Sequence, residues 1–380
     1  MTTASPTHSL PCVTDGELLL YRLFEIADDI DVVALRCLKM PHATRLRPNR
    51  ISVFGSLREV LLVIDLGECQ LPVDDGSIIS APAELILFTF GVAAVCWRVG
   101  LGNQASASPS PVPWADLAGQ ATALSRSAAI TDTAAELIRT WRPILNPALV
   151  RPIEWPAHES YMLVRIFAFE REVTPDEMRV SPDLARLLLG EPQHWRPANT
   201  MIQRIAQSSI SYSDADLVVV EWDAAIELTN DPGEDVPHLL AMSLALALEF
   251  QRFDSILEQE LNDLYNHGAN LAAGTLWGRT RRSRRALSRI HRLQIDVANF
   301  VDRSENALKL VEDIHYARIY KLAIERMHVA TWRAAVERRQ KVIGEFSIMV
   351  HEAAQTGIAH ALEFIIMLLI MWEIIAAFLH

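Results

Sequence analysis

A run of apolar residues close to the C-terminus limits the folds open to this chain more than any other feature. Leu362–Leu379 includes eleven Leu, Ile and Phe side chains, and one charged residue, Glu373, interrupts the stretch from Phe364 to Leu379. An α-helix of about 20 residues crosses the ~30 Å hydrocarbon core of a bilayer. The sequence therefore predicts one transmembrane helix over 358–379, with a helix buried inside a soluble oligomer as the alternative.

The composition of the chain changes at two places and so divides it into three segments. Residues 1–232 mix short strand and helix patterns, and they end in the turn sequence Asn-Asp-Pro-Gly. Residues 235–356 form long helical patterns with a ragged apolar stripe, which favours a bundle or stalk over a regular coiled coil. The predicted fold class is α+β: an N-terminal mixed α/β domain, then long helices, then one C-terminal transmembrane helix.

The N-terminal segment carries several strand signals and one well-marked helix. The strongest strand signal is Glu84–Val99, which we interpret as a single buried strand bent at Gly91. Ser181 and Pro182 suit the N-cap and first position of a short helix that Gly190 ends. Further strands are predicted at Tyr21–Ala27, Val60–Leu66, Tyr161–Phe169 and Leu217–Trp222.

Composition and spacing argue against several classes of function. The net charge of −12 disfavours general coating of nucleic acid, and the four cysteines form no CxxC pair, so neither zinc nor a disulfide framework is expected. Gly100–Ala105 imitates a dinucleotide-binding GxGxxA, but a Ser/Pro loop follows it instead of a helix. His351–Gln355 lacks the second histidine of HExxH. We therefore expect no cofactor, no metal and no small-molecule substrate, and we identify no catalytic residue.

The densest cluster of positive charge lies early in the helical segment. Spacings of four, four and three residues place four arginines on one helix face: Arg281, Arg285, Arg289 and Arg292. Such a face can hold the phosphates of RNA or of anionic lipid. It can equally pair with acids of the chain itself, between Glu258 and Asp263. Both readings remain open at this point.

The C-terminal half resembles a known family. Leu362-Glu363-Phe364, then eight apolar residues, then Glu373-Ile374 is similar to the anchor of the membrane proteins named for "required for meiotic nuclear division". Weaker similarity extends over 85–99 and the rest of 235–379. The resemblance implies an α/β domain, helices and one C-terminal membrane helix. It also implies a mitochondrial inner-membrane location in eukaryotes, a link to translation in some members, and no established catalytic residues.

Three functions remain in competition. The first is a non-enzymatic scaffold that is anchored in the membrane, has its N-terminal body in the cytoplasm and forms homo-oligomers through its helices. The second is a tether that holds ribosomes or RNA through the arginine face, and the third is an enzyme with an unrecognised site in the α/β domain. Membrane contact and assembly are assigned to four residues: Glu363, Phe364, Trp372 and Glu373. Because Glu373 lies deep in the predicted span, we expect it to face another subunit.

Overall fold

A computed structural model describes most of the chain. It covers residues 10–38, 46–48, 61–74, 76–104, 110–154, 156–192, 194–272, 288–302 and 313–346, with residues 348, 366, 367 and 372. The chain divides into two compact units. We call Met1–Glu249 with Ser304–Ala330 the sheet unit, and Phe250–Arg303 with Thr331–His380 the helical unit. The division at 232–235 that the sequence suggested stays a prediction.

The sheet unit is built on β-strands with helices between them. Its strands are β1 (Val13–Glu25), β2 (Ala27–Ile30), β3 (Leu46–Pro48), β4 (Leu61–Pro72), β5 (Ile78–Phe88), β6 (Val92–Gly102), β7 (Leu149–Pro152), β8 (His158–Phe169), β9 (Ser209–Ile210), β10 (Leu217–Val220) and β11 (Ala224–Leu228). Its first helices are α1 (Val32–Arg36), α2 (Trp114–Arg126), α3 (Ala128–Leu145), α4 (Pro175–Arg179), α5 (Pro182–Leu189) and α6 (Asn199–Gln207). Helix α7 (Asp235–Ala272) begins in this unit.

Nine of the described strands form one sheet in the order β3-β4-β5-β6-β1-β8-β11-β10-β9. All neighbours are antiparallel except β8 and β11, which run parallel. β2 and β7 form a separate two-stranded ladder. The long central strand β1 pairs with β6 along one edge and with β8 along the other, so residues far apart in sequence become neighbours around it.

Side chains on the two faces of the sheet meet different layers, because they alternate along each strand. Leu18, Leu20 and Trp97 belong to an apolar core that also contains residues of α2, α3 and α5. Leu19 and Tyr21 point to the opposite face, where the Tyr21 hydroxyl donates to the carbonyl of Pro237 in α7 over 3.5 Å. The first face is thus the helix-packed apolar core, and the second carries the polar site described below.

The strand predicted over Glu84–Val99 is wrong in one respect, because it is a hairpin of two strands. β5 ends at Phe88 and β6 begins at Val92, and the amide of Gly91 closes the turn on the carbonyl of Phe88. Gly91 has a φ of 102°, and a Cβ there would lie 1.9 Å from the carbonyl oxygen of Ala27. The end of β5 and the start of β6, from Leu85 to Trp97, carry no charged residue, so the sequence shows one continuous apolar run and hides the reversal.

The predicted end signals of α5 are confirmed. The Ser181 side chain accepts a hydrogen bond from the amide of Asp183, Pro182 is the first helical residue, and Gly190 ends the helix with a φ of 62°. Asp31 similarly caps α1 by accepting from the amides of Val33 and Ala34. The strand Ala224–Leu228 was missed because five residues carry too little periodicity to be recognised.

The helical unit contains the later part of α7, helix α8 (288–302) and all but the first two residues of α10 (329–346), while α9 (Ile314–Arg326) belongs to the sheet unit. Phe300 of α8 packs against Phe250 and Phe253 of α7, with ring centroids 4.7 and 5.4 Å apart. Ion pairs surround this core: Arg339 of α10 pairs with Asp254 and Glu258 of α7. The unit is therefore a packed group of helices.

The predicted transmembrane helix requires a correction. In the part of the chain that the structure describes, no helix is both long enough and apolar enough to cross a membrane. The longest described helix, α7, carries charged residues such as Glu249, Arg252 and Asp254, which a bilayer core would penalise. The single-span membrane location and the anchor in the predicted fold class are wrong on this finding. The structure describes only residues 366, 367 and 372 of the segment 358–379.

Candidate ligand-binding site

Four strands bring charged residues together at one end of the sheet. In the register of the ladder, Glu17 of β1 lies opposite Arg165 of β8, and Arg165 lies opposite Glu227 of β11. Arg98 of β6 pairs with Leu19, two residues from Glu17 on the same face. The pairing of strands therefore assembles an arginine–glutamate cluster that no local stretch of sequence contains.

Arg165 is the centre of this cluster and is fully buried. Its Nε donates to Glu227 Oε2 over 2.6 Å, and its two terminal nitrogens donate to Glu17 Oε1 and to the carbonyl of Gly233, both at 2.5 Å. Burial opposes the charge of Arg165, but the carboxylates of Glu227 and Glu17 outweigh it and raise the pKa of the guanidinium. Arg165 therefore stays charged and joins three chain segments.

Arg98 forms the second half of the cluster. It lies 3.4 Å from both Glu17 and Glu84 and 2.5 Å from Glu234, which precedes α7. Burial would raise the pKa of Glu234, but the charge of Arg98 and its hydrogen bond lower it below the ordinary value. Two guanidinium groups thus face four carboxyl groups, so the cluster carries an excess of negative charge if every acid is ionised.

A cavity of about 300 Å³ opens beside Glu227. Its walls come from the residues before β10, the residues after β11, the start of α7 and the start of α9. They include Asp216, Asp231, His315 and Tyr316. The cavity is therefore lined by acids, one imidazole and two phenols, and Glu227 links it to the buried cluster.

Glu227 lines this cavity, and one of its two carboxyl oxygens is bound by Arg165. Its Oε2 is held by Arg165, whereas Oε1 accepts no hydrogen bond from any residue that the structure describes. The residue is 5% exposed, and burial raises the pKa of its carboxyl group to about 7 in spite of Arg165. A carboxyl group that titrates near neutrality at the wall of a cavity is typical of binding and acid–base sites.

The other polar groups of the cavity are held in place by local bonds. The carboxylate of Asp216 accepts from the amides of Tyr212 and Ser213 and so fixes the loop before β10. The His315 ring lies 3.9 Å from Asp216 and packs against the ring of Tyr212 at a centroid distance of 5.1 Å. Burial, together with neighbouring acids, raises the pKa of Tyr316 to about 12, so its hydroxyl remains a hydrogen-bond donor.

The residues that the sequence singled out lie elsewhere. Arg289 pairs with Glu260 at 2.8 Å within the helical unit, and Arg292 contacts only the carbonyl of Ser288 among the described residues. Trp372 is helical and exposed. Five of the residues predicted to bind polyanions or to mediate membrane contact and assembly lie outside the described residues: Arg281, Arg285, Glu363, Phe364 and Glu373. Their binding and assembly roles stay predictions.

Sequence reasoning missed the cavity because its members are separated by up to a hundred residues. Glu227 stands in a short strand, and Asp216 and His315 stand in unrelated loops. One signal was present: a glutamate and an arginine inside otherwise apolar strands, since charges are buried only with partners. Metal binding has no support here, because no group of three or more His, Cys, Asp or Glu among the described residues is placed to hold an ion.

Comparisons with known proteins match the N-terminal part of the chain, which belongs to the sheet unit. A family model described as "Uncharacterized protein MJ0711, N-terminal domain" matches residues 15–231. The uncharacterized protein MJ0711 of Methanocaldococcus jannaschii is 24% identical over 223 residues, which are 58% of this chain and 66% of that protein, slightly less than two thirds of its length. Neither match tests the resemblance at the C-terminus, which stays a prediction. Because the model covers more than half of the sequence, the chain belongs to the family of the MJ0711 N-terminal domain.

Proposed function

We propose that the sheet unit binds a small organic cation, a primary amine or a guanidine, in the cavity beside Glu227. The observation that carries this proposal is the excess of carboxyl groups over guanidinium groups in the buried cluster. One of them, Glu227, lines the cavity and has Arg165 as its hydrogen-bond partner among the described residues. An ammonium or guanidinium group beside Glu227 would balance that charge, and charge-assisted hydrogen bonds are among the stronger polar contacts in proteins.

The shape and lining of the cavity support a small ligand with a positive head. About 300 Å³ is at the lower end of the volumes that small-molecule pockets occupy. Asp216 and Asp231 at the walls disfavour anions, and the ring of Tyr316 offers a face for a cation. Sequence composition gave no reason to expect a small-molecule ligand, so this proposal departs from the sequence-based expectation.

Binding of a cation at this site should release a proton from the protein. A positive charge next to Glu227 favours its ionised form, and the free carboxyl group has a pKa of about 7. The affinity should therefore rise as the pH increases from 6 to 8. Calorimetric titrations in buffers of different ionisation enthalpy would measure the released proton directly.

The test uses four probes with the same carbon chain: n-butylamine, n-butylguanidine, n-butanol and butyrate. We expect the two cations to bind the full chain and the neutral and anionic probes not to bind. Glu227→Gln should lower cation affinity at least tenfold and abolish the pH dependence. Glu84→Gln is the matched control, because Glu84 belongs to the same cluster but does not line the cavity. The proposal would be overturned if Glu227→Gln and Glu84→Gln lost the same amount of cation affinity, or if all four probes bound equally well.

The scaffold and tether roles stay predictions, and the arginine face allows one discriminating experiment. Arg289 is paired with Glu260, whereas Arg292 has no acidic partner among the described residues. If the face binds RNA or anionic lipid, Arg292→Gln should weaken retention on a polyanion such as heparin at low salt more than Arg289→Gln does. Identical elution of both variants and the unmodified chain would remove the support for a tether.

A further inference from the structure

The cavity beside Glu227 follows the ladder between β10 and β11. Val218 of β10 lies opposite Glu227 of β11, and both residues line the cavity. Asp216 stands immediately before β10, two residues from Val218, so it lies on the same face of the sheet, diagonal to Glu227. The register therefore places two carboxyl groups along one wall, separated in the direction of the strands.

Exposure to solvent distinguishes the two ends of the cavity. Glu227 is 5% exposed at the inner end, the side chain of Asp216 is 24% exposed, and Asp231 is exposed. The inner end suits a ligand group that is removed from water, and the outer end suits one that stays partly hydrated. Both ends present carboxyl groups.

The lining of the cavity contains no permanent positive charge to balance the outer acids. Among the described residues that line it there is no lysine or arginine, and the imidazole of His315 lies 3.9 Å from Asp216. The carboxylate of Asp216 is fixed in position, because it accepts hydrogen bonds from the amides of Tyr212 and Ser213. A ligand with one positive charge, placed at Glu227, would leave this fixed acid without a permanently charged partner among those residues.

The phenol of Tyr316, which lines the same cavity, lies within range of several acids. Burial is the main cause that raises its pKa to about 12, and the charges of Asp235, Asp231 and Glu227 add to the rise. The acids of the inner and outer ends therefore act on one part of the cavity. The aromatic ring there offers a face to a cation or to the methylene groups that join two cations.

We propose that the ligand of this site is a diamine, with one ammonium group at Glu227 and the second at Asp216. This inference rests on the proposed function, because it names the class of amine that the same cavity binds. Residues that are diagonal across a ladder have their Cβ atoms about 7–8 Å apart. A chain of four methylene groups holds two ammonium groups about 6 Å apart, so its two ends can reach both carboxyl groups.

Two other kinds of ligand fit this arrangement less well. A divalent metal ion would also bring two positive charges, but no group of three or more His, Cys, Asp or Glu among the described residues is placed to hold one. An amino acid with a basic side chain carries a carboxylate beside its amino group. That carboxylate would meet Asp216 and Asp231 at the outer end, where like charges repel.

The test uses three probes of similar length at pH 8: n-butylamine, 4-amino-1-butanol and 1,4-diaminobutane. Each is titrated into the full chain by calorimetry. We expect 1,4-diaminobutane to bind at least tenfold more tightly than 4-amino-1-butanol, which replaces the second ammonium group with a neutral hydroxyl. This comparison is made on the unmodified chain and so does not depend on the folding of any variant.

The variant Asp216→Asn should remove the advantage of the diamine. In this variant 1,4-diaminobutane should bind no more tightly than 4-amino-1-butanol, while the affinity for n-butylamine should change far less. Asparagine keeps a carbonyl oxygen that can accept from the amides of Tyr212 and Ser213, so the loop retains its anchor. Asp214→Asn is the matched control, because Asp214 is an exposed acid of the same loop that does not line the cavity.

The diamine assignment and the proposed function fail in different ways. If n-butylamine does not bind the unmodified chain, the proposed function is wrong. If n-butylamine binds but 1,4-diaminobutane binds no more tightly than 4-amino-1-butanol, the diamine assignment alone is overturned. The assignment is also overturned if Asp214→Asn lowers the affinity for the diamine as much as Asp216→Asn does, since general negative charge would then explain the binding.

Discussion

Replacing Arg165 with methionine is expected to lower the free energy of unfolding by about 3–5 kcal/mol, because it leaves buried carboxylates without their partner. Glu227 and Glu17 would both lose a charged hydrogen bond, and the carbonyl of Gly233 would lose its donor. Urea denaturation, followed by circular dichroism and tryptophan fluorescence, measures the change. Arg171→Met is the matched control: Arg171 pairs with Glu177 at the surface, where such pairs contribute about 0–1 kcal/mol.

A double variant separates loss of charge balance from loss of packing. If the cost comes from uncompensated carboxylates, Arg165→Met with Glu227→Gln should recover part of the stability that Arg165→Met alone loses. A double variant no more stable than Arg165→Met would mean that the volume and contacts of the arginine matter more than its charge. A cost below about 1 kcal/mol for Arg165→Met would contradict the central role of this residue in the cluster.

Local signals in the sequence predicted individual elements well. The cap residues Ser181 and Gly190 act through the hydrogen bonds and the left-handed conformation that their chemistry suggests. Strand β8 was located nearly to its ends, because a run of apolar residues marks it. Such features depend on residues within one or two turns of each other, which a sequence displays directly.

Features that depend on pairing between distant segments could not be predicted. The reversal at Gly91 was invisible because both strands are buried, and apolar periodicity cannot distinguish one long strand from two. The cluster around Arg165 exists only because β1, β8 and β11 lie side by side in a fixed register. The apolar run near the C-terminus led to a membrane-spanning prediction that the described helices do not support.

The charged residues of the candidate site could not be identified from the sequence either. Asp216, Asp231 and His315 are ordinary surface residue types, and nothing in their local sequence distinguishes them from solvated side chains. Only the fold places them around Glu227 and buries that carboxyl group. Arg289 and Arg292 lie in helix α8, and the pairing of Arg289 with Glu260 depends on tertiary packing that the sequence does not display.

In the variant Glu227→Gln, we expect the free energy of unfolding to rise with pH between about 4.5 and 6.5. In the unmodified chain, the titration of Glu227 opposes this rise. Burial first of all, against the opposing effect of Arg165 and with help from Glu234 and Glu17, raises the pKa of Glu227 from 4.5 to about 7. Between those values the folded chain keeps a proton that the unfolded chain has released. Increasing pH therefore favours unfolding through this group, and its contribution is fully lost above pH 7.

His238 has the opposite effect in almost the same range. Burial lowers its pKa from 6.5 to about 4, although the charge of Glu234 works against this, and its Nδ1 has no hydrogen-bond partner among the described residues. Between these two pKa values His238 is protonated in the unfolded chain and neutral in the folded chain, so increasing pH favours folding. The pKa shifts of Glu227 and His238 are about equal in size and opposite in sign. Each corresponds to about 3 kcal/mol of unfolding free energy.

The measurement is the free energy of unfolding at pH 4.5, 5.5, 6.5 and 7.5 for three proteins. In the unmodified chain these two groups nearly cancel, so the difference between each variant and the unmodified chain isolates one of them. Relative to the unmodified chain, Glu227→Gln should gain stability as pH rises to about 7, and His238→Leu should lose stability as pH rises to about 6.5. Parallel pH profiles for all three proteins would contradict the burial of these two groups in their uncharged forms, and with it the electrostatic basis of the cavity.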